Sequence, residues 1–193
     1  MKIGILSLQG GFQAHAKMIE KLHHTPVYIR KASDFEDISG LILPGGESST
    51  NLKLLDTELL EKINSFYKNG FPIFGTCAGL ILLSTEIVHS EQAHLSFLDI
   101  VVSRNSYGSQ KNSCSENINI PVLGENAFHC IFIRAPKIEK IGSNVQCLAT
   151  WQNLPIMVQQ KNVLGASFHP ELTQDTRVHE YFCQMCINKI ETK

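Results

Sequence analysis

Apolar positions fall along the chain in two rhythms. Lys2 to Leu8, Pro26 to Arg30, Gly40 to Leu43 and Pro72 to Gly75 are short, nearly continuous apolar runs. Each is the length of a buried strand, and each ends in a turn signal such as Gln9-Gly10-Gly11 or Pro44-Gly45-Gly46. Between them the spacing lengthens. Phe12, Ala16, Ile19 and Leu22 repeat at helical period over residues 12–24. Leu52, Leu55, Leu59, Ile63 and Phe66 do so over residues 50–68, where Asn69-Gly70 marks a helix end. Ala78 to Ile87 reads as a further helix. Strands that are apolar throughout, alternating with helices, predict a parallel sheet covered on both faces.

The second half changes character. Leu98 to Ser103, Ile118 to Val122, Cys130 to Ile133, Val145 to Thr150, Ile156 to Gln160 and Val163 to Phe168 are short strands in succession, and Thr173 to about Lys189 is a closing helix. The pattern predicts a three-layer α/β/α fold with a mostly parallel sheet and a mixed or antiparallel extension. Residues 104–117 are polar and read as a long loop. With no repeat and no linker, residues 1–193 are expected to form one domain.

Composition narrows the class. Of 193 residues, 43% are hydrophobic and 18% charged, enough for a core and against disorder. The net charge of -1 and the lack of a basic stripe argue against nucleic acid. Phe71 to Val88 is largely apolar, but Pro72, Gly75, Gly79, Ser84 and Glu86 interrupt it, so a strand, turn and helix are expected rather than a membrane span. The amino-terminal run is too short for a signal peptide. Six cysteines in a chain of this length, with no Asn-x-Ser/Thr acceptor, point to free thiols in a reducing cytoplasm.

Two stretches carry candidate chemistry. Gly75-Thr76-Cys77-Ala78-Gly79 follows a predicted strand and precedes a predicted helix. A Gly-x-nucleophile-x-Gly turn lifts the nucleophile out of the core on a sharp bend. The helix start favours thiolate, and Ala78 N–H becomes an oxyanion donor. Alone, Cys77 is equally compatible with a small buried hydrophobe. The second stretch is Gly165-Ala-Ser-Phe-His169-Pro170-Glu171. Pro170 holds His169 extended, and Glu171 is close enough to fix the ring's tautomer. An isolated His-Pro-Glu is more often a solvated strand end. Both stretches follow strands of an α/β sheet, where sites of such folds lie, and this favours the catalytic reading.

Other features are weaker. Leu43-Pro-Gly-Gly46-Glu47-Ser48-Ser49 lacks the lysine and spacing of a phosphate loop, and fits a second oxyanion donor or a small-molecule contact, or an ordinary turn capping the next helix. Arg104 and Arg134 at strand ends are candidate carboxylate clamps or simply solvated. Cys183 and Cys186 form a C-x-x-C without a second ligand pair, and helix packing is the simpler account.

The motifs occur in a telling order: Leu-Gln-Gly, Leu-Pro-Gly-Gly-Glu-Ser, Phe-Gly-Thr-Cys-Ala-Gly-Leu, Arg-Asn-Ser-Tyr-Gly, Phe-Ile-Arg-Ala-Pro and Ser-Phe-His-Pro-Glu-Leu. Over nearly its whole length the chain resembles class I glutamine amidotransferases. Among them it is most similar to the family of glutaminase subunits of pyridoxal 5′-phosphate synthase. The resemblance implies a Cys77–His169–Glu171 triad and an oxyanion hole from Gly46 and Ala78. It also implies a glutamine site lined by Gly46, Glu47, Ser48, Arg104, Ile133 and Arg134, with Gln9 near the oxyanion region and the partner contact. It implies hydrolysis of L-glutamine with no metal or organic cofactor. Ammonia would pass to a synthase subunit within a large hetero-oligomer of twelve copies of each chain. The run Tyr107-Gly-Ser109-Gln110 and then Ser113-Cys114-Ser115 departs from the family's usual Phe-Gly-Arg-Gln and Ser-Phe-Glu. Other classes compatible with the motifs are a glutaminase serving another acceptor, a non-catalytic binding module, and a cysteine hydrolase or protease of related fold.

Overall fold

The computed structural model describes residues 1–46, 54–90, 95–104 and 113–192. The first half winds as the apolar runs require: β1 (Lys2–Leu6), α1 (Phe12–Lys21), β2 (Thr25–Ile29), β3 (Ile38–Leu43), α2 (Thr57–Lys68), β4 (Ile73–Thr76) and α3 (Ala78–Leu83). Strands β5 (Ser84–Ile87), β6 (Leu98–Ser103), β7 (Cys114–Ile118), β8 (Phe128–Phe132), β9 (Lys137–Ile141), β10 (Gln146–Trp151), β11 (Leu154–Gln160) and β12 (Val163–Ala166) follow, and α4 (Arg177–Glu191) closes the chain.

A seven-stranded sheet in the order β10-β11-β12-β4-β3-β1-β2 divides the molecule. From β2 to β12 neighbouring strands are parallel, and β11 and β10 add to the β12 edge antiparallel. The continuous apolar runs have a simple cause, since successive side chains point to opposite faces and both faces are covered. Ile42, Phe74 and Leu164 point into one core, shared with α1, α4 and the β7–β8 hairpin. Leu41, Leu43, Ile73 and Val163 point into the other, beneath α2, α3 and a second sheet of order β5-β6-β9. The three-layer fold expected from the sequence is the one observed.

Local signals explain the element ends. Asp56 caps α2, its Oδ1 accepting from the Leu59 N–H at 2.7 Å. Gly70, at φ +75°, lets the chain reverse after that helix. Some expectations need correction. The helix read over Ala78 to Ile87 stops at Leu83; Ser84 is extended and its hydroxyl bonds back to the Ile81 carbonyl at 2.8 Å. The segment after it pairs with β6 as a strand, consistent with β-branched Thr85 and Ile87. The strand read over Ile118 to Val122 lies earlier. Cys114–Ile118 pairs with β8, whereas Pro121–Leu123 is a 3₁₀ turn. The polar segment 104–117 is therefore a loop only in part, and its residues 105–112 lie outside the described residues. Strand β9, half charged as Lys-Ile-Glu-Lys-Ile, was not visible in the apolar pattern.

Candidate active site

Strands β4 and β12 are adjacent and parallel, so their carboxyl ends emerge side by side. Cys77 leaves β4 and His169 follows β12, and this brings residues 92 positions apart in sequence (169 − 77) into one site. Cys77 has φ 49° and ψ −105°, the strained bend expected of a nucleophile turn. The bend is held from both sides. The Cys77 N–H donates to the Ala166 carbonyl at 2.9 Å, and its carbonyl accepts from the Ile81 N–H at 3.2 Å. Gly79 permits the tight return, because a Cβ there would sit on the Leu43 carbonyl oxygen.

His169 is anchored just as firmly. The His169 N–H donates to the Ile131 carbonyl at 2.8 Å, tying the turn after β12 to β8. His169 Nδ1 lies 2.7 Å from Glu171 Oε1. Glu171 is only 5% exposed. With the carboxylate on Nδ1, the other ring nitrogen is left for Cys77. Burial lowers the His169 pKa, but hydrogen bonds to Cys77 and Glu171 and their charges outweigh it and raise it to about 10. Burial also raises that of Glu171, and the charges and hydrogen bonds of His15 and His169 overcome this and bring it to about 2. Both shifts favour a carboxylate beside an imidazolium.

The remaining candidates group unevenly around this pair. The Cys77 thiol faces the Ile133 carbonyl at 3.8 Å, so the end of β8 forms one wall, and Arg134 follows in a left-handed conformation at φ 46°. Gly45 forms the opposite wall, where a Cβ would meet His169 Cε1 at 2.7 Å and Cys77 Cβ at 3.3 Å. The Gly45 carbonyl accepts from the Gly11 N–H at 3.1 Å. A Cβ on Gly46 would stand 3.0 Å from the Gln9 carboxamide, so Gln9 and Gly46 are neighbours. Ala78, the oxyanion candidate, is the first residue of α3. Arg104 is half-buried at the end of β6, in the second sheet. Glu47 and Ser48 lie outside the described residues, as do Tyr107, Ser109 and Gln110. Cys114 and Ser115 sit in β7, opposite Phe132 and Ile131 of β8. Cys183 and Cys186 are buried in α4 and pack in the core, the latter against Gly40. All six cysteines are free thiols.

Sequence reasoning missed what lies behind Glu171. His15 of α1, Thr76 of β4 and His179 of α4 are fully buried there in one hydrogen-bonded group. The available signal was position: His15 falls within the apolar stripe of Phe12, Ala16 and Ile19, where a polar ring needs a partner.

A cysteine on a strained strand-to-helix turn, backed by a His–Glu pair from the neighbouring strand of a three-layer α/β/α fold, defines the class I glutamine amidotransferase type of protein. Comparison with known proteins agrees with this class. Residues 5–188 match the model of the SNO glutamine amidotransferase family, and the chain belongs to that family. It is 50% identical over 188 residues, covering 96% of this chain and 99% of the relative, to pyridoxal 5′-phosphate synthase subunit PdxT of Dictyoglomus turgidum. The protein of the same name from Streptococcus pneumoniae is 47% identical over 194 residues, with 98% and 100% covered. A crystal structure described as a glutamine amidotransferase superposes with TM-score 0.89 at 40% identity, over 95% of this chain and 98% of the other. A glutamine amidotransferase from Thermotoga maritima shares the fold, with TM-score 0.62 at 14% identity over 98% of this chain and 85% of that one.

Proposed function

We propose that this chain, acting as one domain, hydrolyses L-glutamine to L-glutamate and ammonia through Cys77, His169 and Glu171. The ammonia passes to a synthase subunit that makes pyridoxal 5′-phosphate. The observation that carries the reading is the convergence of Cys77 and the Glu171-paired His169 at the ends of adjacent parallel strands. The pairing with a synthase is supported by near full-length similarity to PdxT proteins. Free thiols are in keeping with a reducing cytoplasm. Among the described residues no helix is long and apolar enough to cross a membrane.

His169, as imidazolium, holds the proton given up by Cys77, and the thiolate attacks the side-chain carboxamide carbon of glutamine. The N–H groups of Ala78 and Gly46 hold the tetrahedral oxyanion, a donor of this kind being worth about 10²–10³ in rate. As the C–N bond breaks, His169 protonates the leaving nitrogen and ammonia departs, leaving a γ-glutamyl thioester. His169 then deprotonates water, which attacks the thioester carbon. The C–S bond breaks, giving glutamate and the Cys77 thiolate beside the protonated His169. Glu171 stays ionised and holds the ring through both steps. The substrate's α-carboxylate is assigned to Arg134 and Arg104, with Glu47, Ser48 and Ile133 completing the pocket.

Ammonia release from L-glutamine in the presence of the synthase subunit tests the reading. Cys77→Ala is expected to abolish it with the circular dichroism spectrum unchanged. Retained turnover would remove Cys77 from the reaction.

A further inference from the structure

Only one oxygen of Glu171 is engaged by His169. Oε2 is fully buried and lies 3.5 Å from His15 Nε2. The same Nε2 lies 3.1 Å from the hydroxyl of Thr76, the residue immediately before Cys77. His15 Nδ1 lies 2.9 Å from His179 Nε2, and His179 Nδ1 has no partner among the described residues. Phe74 meets both rings edge-on, at 6.3 Å and 6.0 Å between centroids.

The proton positions follow from what each atom can do. A buried N–H without an acceptor is among the costliest defects in a protein interior, whereas a bare acceptor is better tolerated. His179 therefore carries its proton on Nε2 and donates it to His15 Nδ1. His15 must then carry its own proton on Nε2, where it faces the Thr76 hydroxyl and Glu171 Oε2. The groups facing His15 are His179 from α4, Thr76 from β4, and Glu171 with His169 behind it from the turn after β12. Only Glu171 among them can be an anion.

We propose that His15 is a positioning residue for the hydrolysis: its Nε2–H, fixed in that tautomer by His179, spans Glu171 Oε2 and Thr76, and so holds the orienter of the base and the strand end of the nucleophile in one register. This rests on the glutaminase reading given above. His15 touches no substrate and acts only through Glu171 and Thr76. Loss of a triad orienter costs about 10⁴ in the serine-protease case, and loss of the orienter's own support is expected to cost a part of that.

Two variants of similar volume separate positioning from packing. His15→Gln keeps an N–H near the Nε2 position, and His15→Met removes it. Steady-state ammonia release from L-glutamine with the synthase subunit gives kcat and KM. The rate at which iodoacetamide alkylates Cys77 at neutral pH, read by peptide mass spectrometry, reports the Cys77–His169 pair without glutamine. The Met variant should lose about tenfold in kcat, with KM within about twofold, and alkylate more slowly. The Gln variant should recover most of both. A Met variant with the wild-type kcat, or Met and Gln variants impaired alike, overturns the proposal. If the Met variant does not fold, His179→Met releases the tautomer instead, and an unchanged kcat there overturns it equally. A wild-type chain that releases no ammonia with its partner would count against the glutaminase reading, while the alkylation rates would still decide the role of His15.

Discussion

Cys77 shows what one residue contributes and what it needs from others. Its strained backbone and its place above the Ala166 carbonyl are dictated by Gly75-Thr-Cys-Ala-Gly79, and that much is legible in the sequence. The partners on either side are legible in kind but not in place. Gly45 reads as a turn glycine, and only the fold shows it wedged between Cys77 and His169. Its role can be tested directly. Gly45→Ala puts a methyl against the His169 ring and should displace it. Misplacing a catalytic group by about 1 Å costs on the order of 10² in rate, so kcat/KM for glutamine should fall about a hundredfold. The fold should survive, and an activity within threefold of wild type would mean that the ring tolerates the shift.

At the scale of elements, the strands that carry the site were the easiest to read. They are buried on both faces, and apolar residues and glycine fill them up to Thr76 at the end of β4. The failures lie where that condition lapses. Strand β9 is Lys-Ile-Glu-Lys-Ile with Ile138 its one buried residue, and β7 is Cys-Ser-Glu-Asn-Ile with Ile118 its one buried residue, so polar side chains outnumber the buried ones. Strand β5 was hidden differently. It continues an apolar helix with no Gly or Pro between them, and the switch is made by Ser84 bonding to the helix carbonyl. The buried pair of His15 and His179 was illegible because residues on separate helices 164 positions apart have no pattern in common until α1 and α4 pack on the same face. The junction of β4 and α3 yields an element-scale prediction. Gly79→Ala would press a Cβ on the Leu43 carbonyl of β3, and neither backbone can give way locally. Overpacking of this sort costs about 2 kcal/mol, or roughly 4–8 °C in Tm for a chain of this size, measurable by calorimetry. An unchanged Tm would show that α3 shifts freely.

For the whole molecule, the buried titratable groups set how stability depends on pH. Burial lowers the pKa of His15, and burial followed by the neighbouring His15 brings that of His179 to about 3. For both the unfolded chain binds protons first, below the ordinary value of 6.5. Their contribution is thus complete above pH 6.5 and is lost as pH falls below it, that of His179 down to about 3. Glu171 adds a loss at lower pH, between the ordinary 4.5 and about 2. His169 acts in the opposite sense. It stabilises fully below 6.5, and that contribution is lost as pH rises through about 10. Chemical denaturation across pH should therefore show maximal stability close to pH 6.5. Replacing His179 by Met should flatten the acid limb between about 3 and 6.5 by about 1.4 kcal/mol per pH unit. A variant with the wild-type slope would mean that His179 takes up its proton without unfolding the core.

The same fold that buries these groups places the Cys77 thiol beside His169, and under the proposed function a covalent intermediate on that thiol is the most direct record of the chemistry. The chain mixed with L-glutamine and its synthase subunit, quenched in acid within the turnover time and digested, should carry a γ-glutamyl group on the peptide containing Cys77. The adduct should be absent from Cys77→Ala. Glutamate and ammonia produced with no adduct at Cys77, and at an undiminished rate in Cys77→Ala, would contradict the account.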